Sequence, residues 1–140
     1  MDAVMAMPAE LRERDLGASH KGLIETLNHI LMADRVWLAR IHGVAAEPSG
    51  EPIEVEWARV QENWERWAAT IADEDLVRVI DYRDMKGNAH RSVLSEIVMH
   101  VVNHATLHRG QVMAMMRQLG VAPPATDLIF FYREQAAAAS

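Results

Sequence analysis

Three long segments of the 140-residue chain repeat apolar residues with the 3.6-residue period of an α-helix. Ser19 and Ser92 are positioned to cap the first and third segments, and Gly43 and Gly120 are positioned to end them. The segments are residues 19–42, 53–71 and 92–119. Long amphipathic helices with short connections predict an all-α fold in which the helices pack as an antiparallel bundle.

The remaining parts of the chain depart from the helical period. Residues 73–92 alternate around a turn-like sequence at 84–88, which predicts a small β-hairpin or an extended crossover before the last long helix. Ahead of the first long segment, only residues 9–16 favour a short helix. Pro123 and Pro124 end the third segment, and we expect residues 127–132 to form an extended or short helical tail that packs through its apolar side chains.

A four-helix bundle built from these elements is one long helix short. The first bundle helix is therefore predicted to be truncated, which leaves an apolar groove for the tail or for another copy of the chain to cover. We expect a homodimer on this ground. The helical spacing of Trp57, Trp64 and Trp67 favours core packing over an aromatic binding surface.

Composition and charge exclude several functional classes. A chain of 140 residues predicts one domain, residues 1–140, which is long enough to fold without disulfides or a metal. Its net charge of −6 gives no electrostatic basis for binding nucleic acid. Because no apolar run approaches the length of a membrane span and the first residues are charged, we expect a soluble cytoplasmic protein with no membrane partner.

The chain has no cysteine and seven histidines, so imidazole is its main resource for metal chemistry. His104 and His108 stand four residues apart on one edge of the last helix, a spacing that can chelate a transition metal. The same spacing also occurs in hydrogen-bonded core histidines. The residues between them include no glutamate, so the pair is not a metalloprotease motif. His100 continues the row one turn earlier, nearer to solvent.

A third imidazole and a carboxylate lie on the first long helix. His29 lies in an apolar run but off the main apolar stripe, which requires the helix to be buried on two sides. Asp34 falls on that stripe, where a carboxylate needs a partner. It can orient a ligand histidine or pair with an arginine for structure alone.

These residues stand in a pattern that resembles the DinB-like (damage-inducible) family of four-helix-bundle metalloproteins. The resemblance covers about residues 10–133. Its motifs are residues 27–30 (LNHI), 33–34 (AD), 37–40 (WLAR), 100–111 (HVVNHATLHRGQ) and 127–129 (DLI).

The resemblance implies an antiparallel four-helix bundle, often dimeric, that holds one divalent metal. Carried over residue by residue, the implied ligands are His29, His104 and His108. Two positions depart from the family pattern. The long helix that normally precedes the His29 helix is nearly absent, and Leu107 stands where relatives often have a second histidine.

Three imidazoles leave a fourth coordination position open for water, as in catalytic metal sites, and both zinc and nickel suit such ligands. Some relatives resemble thiol-dependent transferases, so we expect a metal-dependent transferase or hydrolase acting on a small molecule, with a small-molecule thiol as a possible co-substrate. The alternative is a non-catalytic metal-binding or dimeric stress-response bundle.

Several neighbours of the ligands are candidates for outer-sphere or substrate contacts. Gln111 shares an edge of the helix with His104 and is preferred to Arg109, which lies on the opposite edge. Both side chains can instead satisfy backbone groups or a carboxylate of the tail. The full set of candidates is Gln111, Arg109, Asp34 and His100. The remaining histidines, His20, His42 and His90, lie near the ends of elements and are expected to face solvent.

Overall fold

The structure, a computed structural model, describes residues 1–138 of the chain. It confirms a mostly helical fold with a two-stranded antiparallel hairpin before the last long helix. The elements are α1 (Asp2–Met5), α2 (Ala9–Arg12), α3 (Leu23–His42), α4 (Ile53–Ala68), a 3₁₀ helix (Asp73–Val77), β1 (Val79–Arg83), β2 (Ala89–Val93), α5 (Leu94–Gln118) and α6 (Leu128–Ala138).

The helix α3 is the central element of the fold. Its N-cap is Gly22, so the predicted cap at Ser19 is wrong; Ser19 lies in a turn that precedes the helix. The left-handed conformation of Gly43, with φ of 67°, ends α3 as the sequence predicts. The buried residues of α3 form one broad face, which extends from Thr26 on one edge to Leu31 on the other and includes Leu27 and Ile30.

The helices α3 and α5 form the main packing interface and run antiparallel. His29 near the start of α3 lies beside His108 in the second half of α5, whereas Trp37 near the end of α3 contacts His100 near the start of α5. The core at one end of this pair joins α3 and α5 to the N-terminal segment. Its buried members are Val4, Met7, Leu23, Leu27, Ile30, Val112, Met115 and Met116.

The helix α4 packs against α3 and runs parallel to it. Trp57 joins the core around the first half of α3, while Trp64 and Trp67 join a second core around Ile41 near its end. The segment 43–52 is long enough to return along α3 and allow this direction. The three tryptophans are all half-buried, so they contribute to the cores while one side of the α4 surface stays open.

The hairpin leads directly into α5. Its strands pair from Val79 with Val93 to Arg83 with Ala89. The predicted cap at Ser92 is wrong, since Ser92 lies in β2 and Val93 is the N-cap. The backbone N–H of Val93 donates to the Glu96 carboxylate at 3.2 Å, which satisfies one of the free donors at the start of α5.

Both ends of the chain carry short helices. Two four-residue helices, α1 and α2, take the place of a long first helix, in agreement with the sequence prediction of a truncated one. The tail forms the helix α6, but the expectation that its apolar residues pack is wrong. The exposed fraction of the large apolar side chains at residues 128–132 ranges from 40% at Phe130 to 63% at Leu128, because no other described helix covers them.

Within residues 1–138, no helix combines the length and the apolar character needed to cross a bilayer.

Candidate metal centre

Three of the histidines singled out in the sequence meet between α3 and α5. The Nε2 atoms of His29 and His104 lie 3.0 Å apart. The ring of His108 has its centre 4.6 Å from that of His29 and 4.4 Å from that of His104. The antiparallel packing of α3 against α5 produces this meeting, since it places the middle of α5 beside the first half of α3.

A fourth imidazole, His20, joins the same cluster. Its ring stacks on that of His29 with centres 3.9 Å apart and planes inclined by 19°, and it lies 5.3 Å from the ring of His108. The expectation that His20 faces solvent is therefore wrong; its side chain is half-buried. The turn at residues 18–21, where Lys21 has a φ of 62°, folds this segment back onto α3. Glycine and polar residues at 17–22 predict a turn, but they do not indicate which way the turn directs the His20 side chain.

Burial favours the neutral form of two of these imidazoles, His29 and His104. The pKa of His29 is lowered to about 4, mainly by loss of solvent contact and further by repulsion from charge on His20, His108 and His104. The pKa of His104 is also lowered, first by burial and then by its histidine neighbours. A neutral imidazole has a free lone pair, so rings with lowered pKa values are ready to coordinate a metal at neutral pH.

The spacing of the ring nitrogens fits a single metal ion. One nitrogen from each of His20, His29 and His108 lies within 4.8 Å of the others, and among residues 1–138 this set does not include His104, whose short nitrogen contact is with His29. Two nitrogens bound to one tetrahedral zinc at about 2.05 Å are about 3.3 Å apart, close to the separation of His29 and His104. A donor set made only of imidazoles suits zinc and nickel better than calcium or magnesium.

Gln111 holds the most buried of these rings. Its Oε1 accepts a hydrogen bond from Nδ1 of His108 at 2.7 Å, and His108 is only 7% exposed. This contact fixes the proton on Nδ1 and leaves Nε2 free for a metal. His100 is exposed at the edge of the row, where it lies 5.7 Å from His104 and packs against Trp37.

Asp34 and Arg109 make their contacts away from the imidazoles. Asp34 accepts from Gln61 at 3.5 Å through its carboxylate and from Trp64 at 3.1 Å through its backbone carbonyl. Arg109 is exposed and donates to Thr106 at 3.0 Å. Neither of the two roles suggested for Asp34, orienting a histidine or pairing directly with an arginine, is seen among its hydrogen bonds and ion pairs within residues 1–138.

The two remaining histidines lie outside the cluster. His42 is exposed at the end of α3, and His90 is exposed on β2, where it pairs with Asp84 at 3.1 Å. Both face solvent, as the sequence predicts.

An open pocket lies beside His29, while His20, His104 and His108 are not among its lining residues. Its volume is about 370 Å³, within the usual range for small-molecule sites. Arg35 and Glu56 form an ion pair in its wall. The pocket is lined by Glu25, Asn28, His29, Met32, Arg35 and Glu56.

Comparison with known proteins gives a consistent result. A family described as the DinB family has a model that matches residues 1–138. The chain is 26% identical over 134 residues to "Protein DinB" of Bacillus subtilis (strain 168), an alignment that covers 86% of this chain and 78% of that protein. The fold is similar to the crystal structure of a DinB-like protein from Bacillus cereus, with a TM-score of 0.68, 22% identity, and coverage of 90% and 87% of the two chains.

Proposed function

Because this chain belongs to the DinB family, we propose that it binds one divalent metal ion, zinc or nickel, through His29, His104 and His108. The observation that carries this proposal is the cluster of half-buried and buried imidazoles between α3 and α5, with two Nε2 atoms 3.0 Å apart. The lowered pKa values of His29 and His104, which favour neutral rings, and the Gln111 contact, which orients His108, both support it.

We further propose that the metal site is catalytic. Three imidazole ligands leave a coordination position for water or substrate, and the pocket beside His29 offers room for a small molecule. A divalent metal held there supplies Lewis-acid chemistry that lowers the pKa of a water or a thiol toward neutrality. The proposed reaction is therefore transfer of a small-molecule thiol to an electrophile, or hydrolysis of a small substrate.

In the transfer reaction, the thiol sulfur forms a bond to an electrophilic carbon while the bond from that carbon to its leaving group breaks. The leaving group departs with both electrons, and the thiol proton passes to solvent. In the hydrolysis, water takes the place of the thiol. Neither reaction needs an oxidant or a reductant.

A second candidate function is metal binding without catalysis, and the position of His20 favours it. A fourth imidazole stacked on His29 can fill the remaining coordination position and close the site. The two candidates therefore differ in the role of His20. In the catalytic site it borders the open position, whereas in the closed site it is a ligand.

Metal analysis of protein purified without a histidine tag tests the ligand set. We expect about one equivalent of zinc or nickel, lost in His104→Ala and retained in the control His42→Ala, whose side chain is exposed outside the cluster. Circular dichroism shows whether each variant is folded. A folded His104→Ala protein that binds metal as tightly as the wild type contradicts the proposed ligands.

The variant His20→Ala separates the open site from the closed one. In the open site this variant keeps its metal, and chelator competition gives an affinity close to that of the wild type. Thiol transfer to an electrophilic aryl chloride, measured by absorbance with a panel of small thiols, should then depend on added metal. A large loss of metal affinity in His20→Ala, with no metal-dependent turnover in the wild type, supports the closed, non-catalytic site.

A further inference from the structure

A second concave site lies on the other flank of α5, independent of the histidine cluster. It is a groove of about 410 Å³ between α4 and α5, with α3 at its base. Its walls are apolar: tryptophans of α4 face valines and an alanine of α5. The residues that form the walls are Trp57, Trp64, Trp67, Val101, Val102 and Ala105.

The base of this groove holds a carboxylate without an adequate partner. Asp34 is only 6% exposed, and its Oδ1 has no hydrogen-bond partner within residues 1–138. Its Oδ2 has a single long contact of 3.5 Å with Gln61. Rotation about χ2 exchanges the two oxygens, so either can turn toward the groove. A buried carboxylate with so few hydrogen bonds reduces the stability of the folded protein unless a cation or further hydrogen-bond donors approach it.

The charged groups around the groove do not supply that partner. Arg109 lines the groove, but its guanidinium bonds to Thr106, and its effect on Asp34 is limited to longer-range electrostatic attraction. Glu65 lines the same groove and adds a second carboxylate. The groove therefore combines a negative base, one exposed cation and an apolar wall.

The tryptophan wall favours a cation with an organic group attached. Trp64 and Trp67 contact each other edge to face, with ring centres 5.3 Å apart. The indole N–H of Trp64 is already engaged by the backbone carbonyl of Asp34, so this ring offers mainly its faces and edges to a ligand. Tryptophan faces attract ammonium groups through their π electrons and bury apolar surface at the same time.

We propose that this groove binds a small organic cation, a protonated amine with an aromatic or alkyl group, whose ammonium contacts Asp34 and whose apolar part packs against the tryptophans of α4. An anion is disfavoured by Asp34 and Glu65. A bare divalent metal is disfavoured because the groove offers it only separated carboxylates and an apolar wall.

Binding of 2-phenylethylammonium to the full chain tests this proposal. Calorimetry and tryptophan fluorescence at pH 7.5 should show saturable binding. The matched neutral alcohol, 2-phenylethanol, lacks the charge and should bind about tenfold more weakly or worse. The matched anion, 3-phenylpropionate, should not bind measurably. Equal affinity for the amine and the alcohol overturns the role of Asp34.

Two substitutions locate the site. Asp34→Asn keeps the shape of the side chain and should weaken amine binding about tenfold, whereas Asp81→Asn, at an exposed carboxylate on β1, should leave it unchanged. Trp67→Leu should weaken binding of both the amine and the alcohol. Thermal melting checks that each variant is folded, so a loss of binding in folded Asp34→Asn supports the site. Unchanged binding in that variant contradicts it.

Two other occupants of the groove would also overturn the proposal. If a second copy of the chain covers the groove, amine affinity falls as protein concentration rises. If the helix α6 covers it, binding appears only when α6 is disrupted, for example by Phe131→Asp.

Discussion

At the scale of single residues, Asp34 shows how burial changes ionisation. Burial raises the pKa of this carboxyl from 3.8 to about 6, against a smaller opposing effect of the Arg109 charge. Since the pKa in the folded protein exceeds the unfolded value, folding favours the protonated form. The stability that this group contributes is complete below pH 3.8 and is lost as the pH rises through about 6.

We expect Asp34→Asn to be more stable than the wild type at pH 8, because the amide carries no charge to bury. A pKa raised by this amount corresponds to roughly 3 kcal/mol, and imperfect hydrogen bonding of the amide reduces the gain to about 1–2 kcal/mol. Urea unfolding followed by circular dichroism at several pH values measures the difference. The gain should vanish near pH 4.

The histidines give this experiment its internal check. Burial lowers the pKa of His29 from 6.5 to about 4, so its contribution to stability is lost as the pH falls across that range. That change occurs equally in Asp34→Asn and in the wild type, so it cancels when the unfolding free energy of one is subtracted from that of the other. If the difference in unfolding free energy between the two proteins is constant from pH 4 to pH 8, ionisation of the Asp34 carboxyl is not the cause of that difference.

At the scale of elements, the turn that carries His20 is held against α3 by a close backbone approach. A Cβ on Gly22 would overlap the carbonyl oxygen of Arg14. The φ of Gly22, −154°, is accessible to any residue, so the restriction is one of space alone. Gly22 therefore allows the segment before α3 to pack closely enough to bring His20 over His29.

We expect Gly22→Ala to destabilise the protein by about 1–3 kcal/mol, because a backbone group must move to accommodate the methyl. Gly110 offers a matched control. It lies within α5, and a Cβ there meets nothing within 4 Å. Gly110→Ala should be neutral or stabilising by up to about 1 kcal/mol. Thermal unfolding of both variants tests the comparison, and equal melting temperatures contradict the proposed close packing.

At the scale of the whole molecule, α6 carries an unusual exposed apolar surface. Five consecutive large residues, from Leu128 to Tyr132, are each at least 40% exposed. Consecutive helical residues point about 100° apart, so about half of these side chains can face one partner, and pairing of two copies through α6 buries roughly 500 Å², the size of a weak contact. We therefore propose a weak homodimer that associates through α6.

Sedimentation velocity over a range of concentrations tests this dimer. We expect reversible self-association in the wild type and a monomer in Phe131→Asp, since a buried charge opposes the contact. Met85→Asp is the control, because Met85 is equally apolar and 79% exposed but lies in the hairpin turn. Self-association that persists unchanged in Phe131→Asp excludes α6 as the interface.

The helices and the hairpin were predictable from sequence because their signals are local. The apolar period of α3 and α5, the left-handed glycine at Gly43 and the turn between β1 and β2 each depend on residues only a few positions apart. The ends predicted from Ser19 and Ser92 were wrong, because a capping residue is effective only if the adjacent backbone is free to adopt the cap geometry. Here a turn and a strand occupy those positions.

The sequence by itself determined the three long helices and the hairpin, and it drew attention to His29, His104 and His108 as chemically unusual in their surroundings. Only the tertiary structure decided that His20 joins them, that Asp34 lies at the base of an open groove, and that α6 stays exposed. The physical reason is that these outcomes depend on the direction of a turn and on which helices lie side by side. Contacts between residues distant in the chain set both, and no local pattern records them.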